Sequence, residues 1–290
     1  MLTNREWFFK IKKENKDGHK FLLNDSEIYG LLIDANKFKN YTELIANFDS
    51  FLFDEKGLKR KLKRIQNGEA YQYVLGYTFF NDLKIMVNKK VLIPRPETEE
   101  LVKNLIELIN KNNFNKESIA DICCGSCCIA LSLKKEFPNS KIYASDLYKE
   151  PLKLSKKNSQ NLDLDIEIIK SNKLHTFIEN YTKVDILVSN PPYVSNKKDI
   201  EEYVNNNEPI SAIFTKNGTT FYESYFKNYE KVMNEKFLMA FEINFDQEEK
   251  LTQLIGKYFD LNKIKYFFKK DIYNKVRYLF IIGGYENACF

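Results

Sequence analysis

Four consecutive residues carry the most suggestive chemistry in the chain: Asn190-Pro191-Pro192-Tyr193. They follow the apolar run Ile186 to Val188 within DILVSNPPYV. Such a run reads as a buried strand that delivers Asn190 to its C-terminal end. The two prolines fix φ and remove two backbone N–H groups, so their carbonyls remain as acceptors in a stiff loop. The Asn190 side-chain carbonyl and the Pro191 main-chain carbonyl can then take both hydrogens of one planar –NH2 group. Tyr193 offers an aromatic face on which that flat group can stack. An isolated Pro-Pro turn would be only structural. With asparagine before it and tyrosine after it, the loop is a site for an amide or amino nitrogen.

Two other strand ends carry acids. One is Asp121, which opens Asp121-Ile122-Cys123-Cys124-Gly125-Ser126-Cys127-Cys128; the other is Asp146, 25 residues later. An acid at the end of the second strand of an α/β sheet commonly accepts from the ribose hydroxyls of an adenosine cofactor. The bland alternative is a surface aspartate in a turn. There is no G-x-G-x-x-G, which weakens a nicotinamide or flavin reading, and no G-x-x-x-x-G-K-[ST], which disfavours a P-loop.

The chain has five cysteines, four of them between 123 and 128 and the fifth at Cys289. An odd, clustered set without a secretory pattern argues against a disulfide framework. Cys124 and Cys127 have the C-x-x-C spacing of zinc and redox sites. Four cysteines on one strand-to-helix turn cannot readily wrap a tetrahedral ion, however, and His19 and His175 have no ligand spacing to them, so no metal is expected. The simpler reading is small, weakly polar side chains in place of glycines. A low-pKa thiol at the helix N-terminus would be open to oxidation.

The elements that must hold these residues alternate. Strands are expected at 118–124, 141–146, 165–169, 184–189, 236–243, 264–269 and 276–282, mostly separated by helices such as 127–136. A helix starts at Pro96, with Glu97, Glu99 and Glu100 in its first turn. Alternation of this kind predicts an α/β fold with a parallel sheet covered on both faces, and ligands at the C-terminal strand ends. Only residues 270–275 separate the last two strands, so they should form an antiparallel edge hairpin. Residues 1–70 read as a helical domain, in which Leu58, Leu62 and Ile65 form a buried stripe. The opposite face carries Lys59, Arg60, Lys63 and Arg64, either a solvated face or a docking surface. The aromatic, β-branched stretch 71–93 reads as a β-hairpin, giving a linker over 71–95 and a catalytic domain over 96–290.

Composition narrows the class. A chain of 290 residues suggests two domains, at about 150 residues each. Its 43% hydrophobic and 29% charged residues are those of an ordinary folded protein. The net charge of +5 is too small to declare a nucleic-acid binder. No run is long and apolar enough to span a bilayer, and Arg5, Glu6 and Lys10 interrupt any signal-peptide core. The cytoplasm is therefore the expected location, with no membrane partner.

The chain resembles the HemK/PrmC protein-glutamine N5-methyltransferases over its whole length. The resemblance rests on Asn190-Pro191-Pro192-Tyr193 together with VLIPRPETEELV (91–102), and is supported by Gly68-Glu69, Tyr73, Leu75, Gly76, Asn207-Glu208-Pro209 and Glu242. It implies a Rossmann-like class I methyltransferase fold, a mostly parallel seven-stranded sheet, behind a small helical N-terminal domain. It implies S-adenosylmethionine as cofactor, with S-adenosylhomocysteine as product. The implied acceptor is the glutamine of the Gly-Gly-Gln motif in class I peptide chain release factors. No direct nucleic-acid partner is expected, and a monomer is.

Carried over by motif, the catalytic residues are Asn190, Pro191, Pro192 and Tyr193. The cofactor residues are Asp121, Cys123, Cys124, Gly125, Ser126, Cys127, Asp146, Asn172, Lys173 and Asn190. The chain departs from the family where its loop, D-x-G-x-G-[ST]-G, keeps only the middle glycine. Cys123 and Cys127 would narrow the loop or redirect its backbone. Asn172 and Lys173 stand where the family has an acid followed by an aromatic. Asn172 can still accept from an adenine amino group, but Lys173 supplies no aromatic wall. No general base is evident, so the proton is expected to leave after transfer. Two alternatives stay open. One is an amino-methyltransferase of adenine N6 or guanine N2 in nucleic acid, whose flipped base would stack on Tyr193. The other is a binding protein whose altered loop has lost the cofactor.

Overall fold

Side-chain caps set where the first helices begin. In the computed structural model, which describes residues 1–16 and 23–285, the unit Met1–Tyr77 contains α1 (Asn4–Lys16), α2 (Asp25–Asn36), α3 (Tyr41–Ala46), α4 (Glu55–Gln66) and α5 (Tyr71–Leu75). His19 and Cys289 lie outside the described residues. Asn24, Asn40 and Asp54 each accept a backbone N–H of the following first turn, and Asn24 forms a reciprocal capping box with Glu27. Leu58, Leu62 and Ile65 are buried with Trp7, Ile28 and Leu32, as the helical spacing predicts. The basic face of α4 is partly neutralised from within. Lys59 pairs with Glu55, Lys61 with Asp34 and Arg64 with Glu69. Among the described residues Arg60 and Lys63 make no ion pair and stay exposed.

The expected hairpin over 71–93 is shorter than its sequence suggests. Tyr71–Leu75 is a helix, closed by Gly76 at φ 83. Only β1 (Tyr77–Phe80) and β2 (Leu83–Met86) pair, through Asn81 and Asp82 at φ 45 and 61. Two successive left-handed residues are the mark of a tight I′ hairpin turn. A short apolar run does not by itself distinguish strand from buried helix, and here Tyr73 and Val74 are buried on a helical turn. The helical unit accordingly runs past residue 70 to Tyr77.

The second unit, Thr78–Phe290, holds α6 (Pro96–Asn112), β3 (Ser118–Ile122), α7 (Cys128–Glu136), β4 (Lys141–Asp146), α8 (Lys149–Leu162), β5 (Glu167–Lys170) and α9 (His175–Glu179). It continues with β6 (Val184–Ser189), α10 (Glu202–Asn207), α11 (Thr220–Val232), β7 (Met233–Glu242), α12 (Glu248–Tyr258), β8 (Ile264–Lys270) and β9 (Val276–Gly283). The sheet order is β5-β4-β3-β6-β7-β9-β8. All neighbours are parallel except β9, which runs antiparallel to both β7 and β8. The seven-stranded sheet and its edge hairpin match the sequence-based expectation. Ile186, Leu187, Val188, Leu238, Met239 and Ala240 are all fully buried, as strands covered on both faces must be.

The strand order decides which residues meet. Ile122 of β3 is level with Ser145 of β4 and Ser189 of β6, so Cys123, Asp146 and Asn190 leave the sheet at one edge. The order reverses between β3 and β6, the switch point at which open α/β sheets bind ligands. Among the described residues no helix is long and apolar enough to cross a membrane.

Candidate active site

The loop after β3 keeps a glycine-like path without the glycines. Cys123, Gly125 and Cys127 all sit in the left-handed region, at φ 64, 53 and 65. A side chain there costs about 1–2 kcal/mol per residue, so the surrounding bonds must hold the turn. Cys124 N–H donates to Ser145 O at 2.9 Å, and Cys127 N–H to Cys124 O at 2.7 Å. Ser155 Oγ donates to Gly125 O and Asn158 Nδ2 to Ser126 O, both at 2.9 Å. The cysteines therefore take up the strain and do not redirect the backbone. Cys123, Cys124 and Cys128 are not low-pKa thiols. Burial pushes Cys123 up to about 12 and Cys128 higher still, while the bond to Cys127, then burial, raises Cys124. Among the described residues no group of three or more His, Cys, Asp or Glu could hold a metal.

Above this loop lies a cavity lined by Cys123, Cys124, Gly125, Ser126, Asp146, Asn172, Lys173 and Asn190 from the expected cofactor set. Asp146 Oδ2 accepts Gly125 N–H at 3.1 Å, and Oδ1 accepts Tyr148 N–H at 3.0 Å. Each oxygen keeps a lone pair for a ribose diol. A Cβ built on Gly125 would meet nothing within 4 Å, so the cavity floor is open there. These features fit an adenosine-bearing cofactor.

Two expected cofactor residues do not line the cavity: Asp121 and Cys127. Asp121 is fully buried, and its Oδ2 accepts Ala130 N–H at 3.1 Å in the first turn of α7. Among the described residues its Oδ1 has no hydrogen-bond partner. Burial raises its pKa to about 7, against the Ala130 N–H and with help from the charge of Asp146. Asp121 thus braces the loop from beneath. The aromatic wall that Lys173 lacks comes from elsewhere: Phe221, in the first turn of α11, lines the cavity. Lys173 Nζ sits 4.9 Å from that ring centroid and donates to Thr220 O at 3.3 Å. Nothing local in the sequence marks Phe221 for this place.

On the acceptor side Asn190 and Pro192 line the cavity, whereas Pro191 and Tyr193 do not. The Tyr193 hydroxyl donates to Glu242 Oε1 at 3.1 Å, a bond that fixes the ring without engaging its faces. Thr98 Oγ1 donates to Glu242 Oε2 at 2.7 Å and accepts from Asn190 Nδ2 at 3.0 Å. Glu242 is buried at the end of β7. Burial raises its pKa, opposed by the Thr98 and Tyr193 donors and by the charge of Arg277. Glu208 ties two of the motif segments together, accepting Ile93 N–H at 3.0 Å and pairing with Arg95.

Residues 98–248 match the model of the methyltransferase small domain family. The release factor glutamine methyltransferase of Bacillus subtilis is 32% identical over 266 residues, covering 85% of this chain and 92% of that protein. The chain belongs to the release factor glutamine methyltransferase family. A Mycoplasma mycoides member is 30% identical over 279 residues, covering 94% of this chain and 95% of that one. Among solved structures, the methyltransferase SMU.776, complexed with SAH, is similar with a TM-score of 0.51 at 12% identity, over 70% of this chain and 55% of that one. At that identity the likeness concerns the fold, a class I methyltransferase sheet. Within the family the present chain is a member whose loop carries Cys123 and Cys127 at left-handed positions.

Proposed function

We propose that this chain transfers a methyl group from S-adenosylmethionine to the side-chain amide nitrogen of a glutamine in a peptide chain release factor. The observation that carries most weight is Asn190. β6 delivers it to the switch point, its NH2 is engaged by Thr98, and its carbonyl is left for an acceptor amide. The names of the relatives support the release factor as substrate, and the family resemblance supports the Gly-Gly-Gln glutamine of class I factors.

S-adenosylmethionine supplies an electrophilic methyl group on a sulfonium. Asp146 would accept from its ribose, with Gly125 below and Phe221 beside the adenosine. An amide nitrogen is a poor nucleophile because its lone pair is delocalised into the carbonyl. Asn190 Oδ1 would hold one N–H bond and aim the nitrogen, a positioning effect, and the family motif assigns the second N–H to the Pro191 carbonyl at the cavity's edge. Acceptor oxygens also favour the positive charge that develops on nitrogen during transfer. Tyr193 contributes through Glu242.

The helical unit is the proposed docking surface for the rest of the release factor, with the exposed Arg60 and Lys63 of α4, which make no ion pair among the described residues, on its basic face. A monomer is the proposed working unit. The cytoplasm, where translation terminates, is the proposed location. The test is incubation with labelled S-adenosylmethionine and an intact release factor, followed by mapping of the methyl group. Label on the Gly-Gly-Gln glutamine is expected. Label elsewhere, or faster transfer to RNA, would overturn the assignment.

A further inference from the structure

Thr98 has a single hydroxyl hydrogen and can donate it once. The buried Glu242 carboxylate takes it, with Oε2 2.7 Å away. Thr98 Oγ1 can therefore face Asn190 only as an acceptor, and it draws in the NH2 end of that amide at 3.0 Å. The other Glu242 oxygen is occupied by the Tyr193 hydroxyl. Among the described residues Asn190 Oδ1 has no hydrogen-bond partner, and Asn190 lines the cavity. The two ends of a carboxamide have nearly the same shape, so only hydrogen bonding decides which way round it stands. In this fold that decision is made by a relay from β7 through α6 to the end of β6.

We infer that Thr98, directed by Glu242, is the positioning residue that turns the Asn190 carbonyl toward the acceptor and so makes the site select a carboxamide over a carboxylate. This rests on the proposed amide acceptor. A glutamine presents two N–H donors to Asn190 Oδ1 and its neighbouring carbonyl. A glutamate presents only acceptors, and would meet a repelling oxygen. With Asn190 turned round, the NH2 group would welcome the glutamate instead. Sites built around a fixed donor or acceptor reject the mismatched partner because buried polar groups are left unpaired.

Two substitutions act on the relay in different ways. Thr98→Val keeps the shape and removes the hydroxyl, so nothing orients Asn190. Glu242→Gln reverses the relay: its oxygen stays with the Tyr193 hydroxyl, its NH2 donates to Thr98, and Thr98 must then donate to Asn190 Oδ1. Thr98→Ser keeps the hydroxyl and serves as the rescue. Each full-length variant is assayed with an intact release factor and with the same factor carrying glutamate at the acceptor position, the latter as a competitive inhibitor.

In the unsubstituted protein the glutamate form should bind about tenfold or more weaker than the glutamine form. In Thr98→Val the ratio should fall below about threefold and kcat should drop about tenfold, with S-adenosylmethionine affinity within about twofold. Glu242→Gln should bring the ratio to about one or below, and Thr98→Ser should keep it. The side-chain NH2 resonances of Asn190, read by NMR without any acceptor, should lose their exchange protection in Thr98→Val. An unchanged ratio and unchanged resonances in both Thr98→Val and Glu242→Gln would overturn the inference. If the unsubstituted protein binds no release factor, the proposed function falls while the NMR comparison still judges the relay.

Discussion

Replacing Asp146 by alanine tests the cofactor side of the cavity most directly. Asp146 Oδ2 already accepts Gly125 N–H and Oδ1 accepts Tyr148 N–H, which leaves one acceptor position per oxygen. Two ribose hydroxyls can fill them. Hydrogen bonds to a charged group contribute about 1.5–3 kcal/mol each, so the low end for the pair is about 3 kcal/mol. That corresponds to a loss of roughly a hundredfold in affinity. Asp146→Ala also removes the partner of Gly125 N–H, so the loss should not be smaller than this. Asp146→Asn keeps one acceptor oxygen and should lose about tenfold.

The pH dependence has a defined sign. Burial raises the Asp146 pKa, and the backbone donors of Tyr148 and Gly125 oppose it. Only the ionised carboxylate can accept at both oxygens from the diol, so affinity is full above that pKa and falls on acidification. The decline should begin at a higher pH than for a free aspartate, and be absent in Asp146→Ala. Calorimetric titration with S-adenosylmethionine and S-adenosylhomocysteine, with thermal melts as a fold control, measures all of this. Asp146→Ala binding within about threefold of the unsubstituted protein, with the fold intact, would refute the ribose role.

Asn190→Ala should lower turnover about a hundredfold, some 3 kcal/mol in the transition state, while S-adenosylmethionine affinity changes by less than about threefold; single-turnover rates and titration separate the two. Asp121 has a pKa near 7 in the folded state, above its ordinary 3.8, so the folded protein holds the extra proton between those values. Its contribution to stability is full below about pH 4 and is lost as pH rises toward 7. Denaturant melts across that range should show Asp121→Asn losing this downward slope, and an unaltered slope would refute the buried proton. The double charge reversal Arg60→Glu, Lys63→Glu should lower kcat/KM for an intact release factor up to about tenfold at low salt, with the difference shrinking at high salt. A salt-independent effect, or an equal effect on a Gly-Gly-Gln peptide, would remove the docking role from that face.

Much of the sheet was legible because its strands are buried on both faces. Lys141–Asp146 and Val184–Ser189 stand at the bounds their sequence suggests, since each apolar run ends abruptly in polar or proline residues. The short edge hairpin was legible from loop length alone. Tyr71–Leu75 was not, because five residues are too few for a period to declare itself and its aromatic content suits either state. The left-handed turns at Cys123 and Cys127 ran against residue preference. There the bonds from neighbouring segments outweigh a local cost of about 1–2 kcal/mol per residue.

The sequence by itself determined the order of the sheet's elements and the residue types at the strand ends. It placed Asn190, Asp146 and Gly125 at strand ends, where they line one cavity, because a strand's end and its following loop are properties of one short segment. Only the tertiary structure decided what surrounds them. Phe221 joined the cavity wall from α11, Asp121 took a buried place with its Oδ2 on Ala130 N–H, and the Tyr193 hydroxyl met Glu242. Thr98, Asn190 and Glu242 come together although 92 and 52 residues separate them along the chain. The physical reason is the crossover order of the sheet. Local periodicity says which face of an element is buried, but the strand order β3-β6-β7 says which distant side chains share that burial. A hydroxyl whose single hydrogen is claimed by a carboxylate on another strand acquires its role only when that strand is in place.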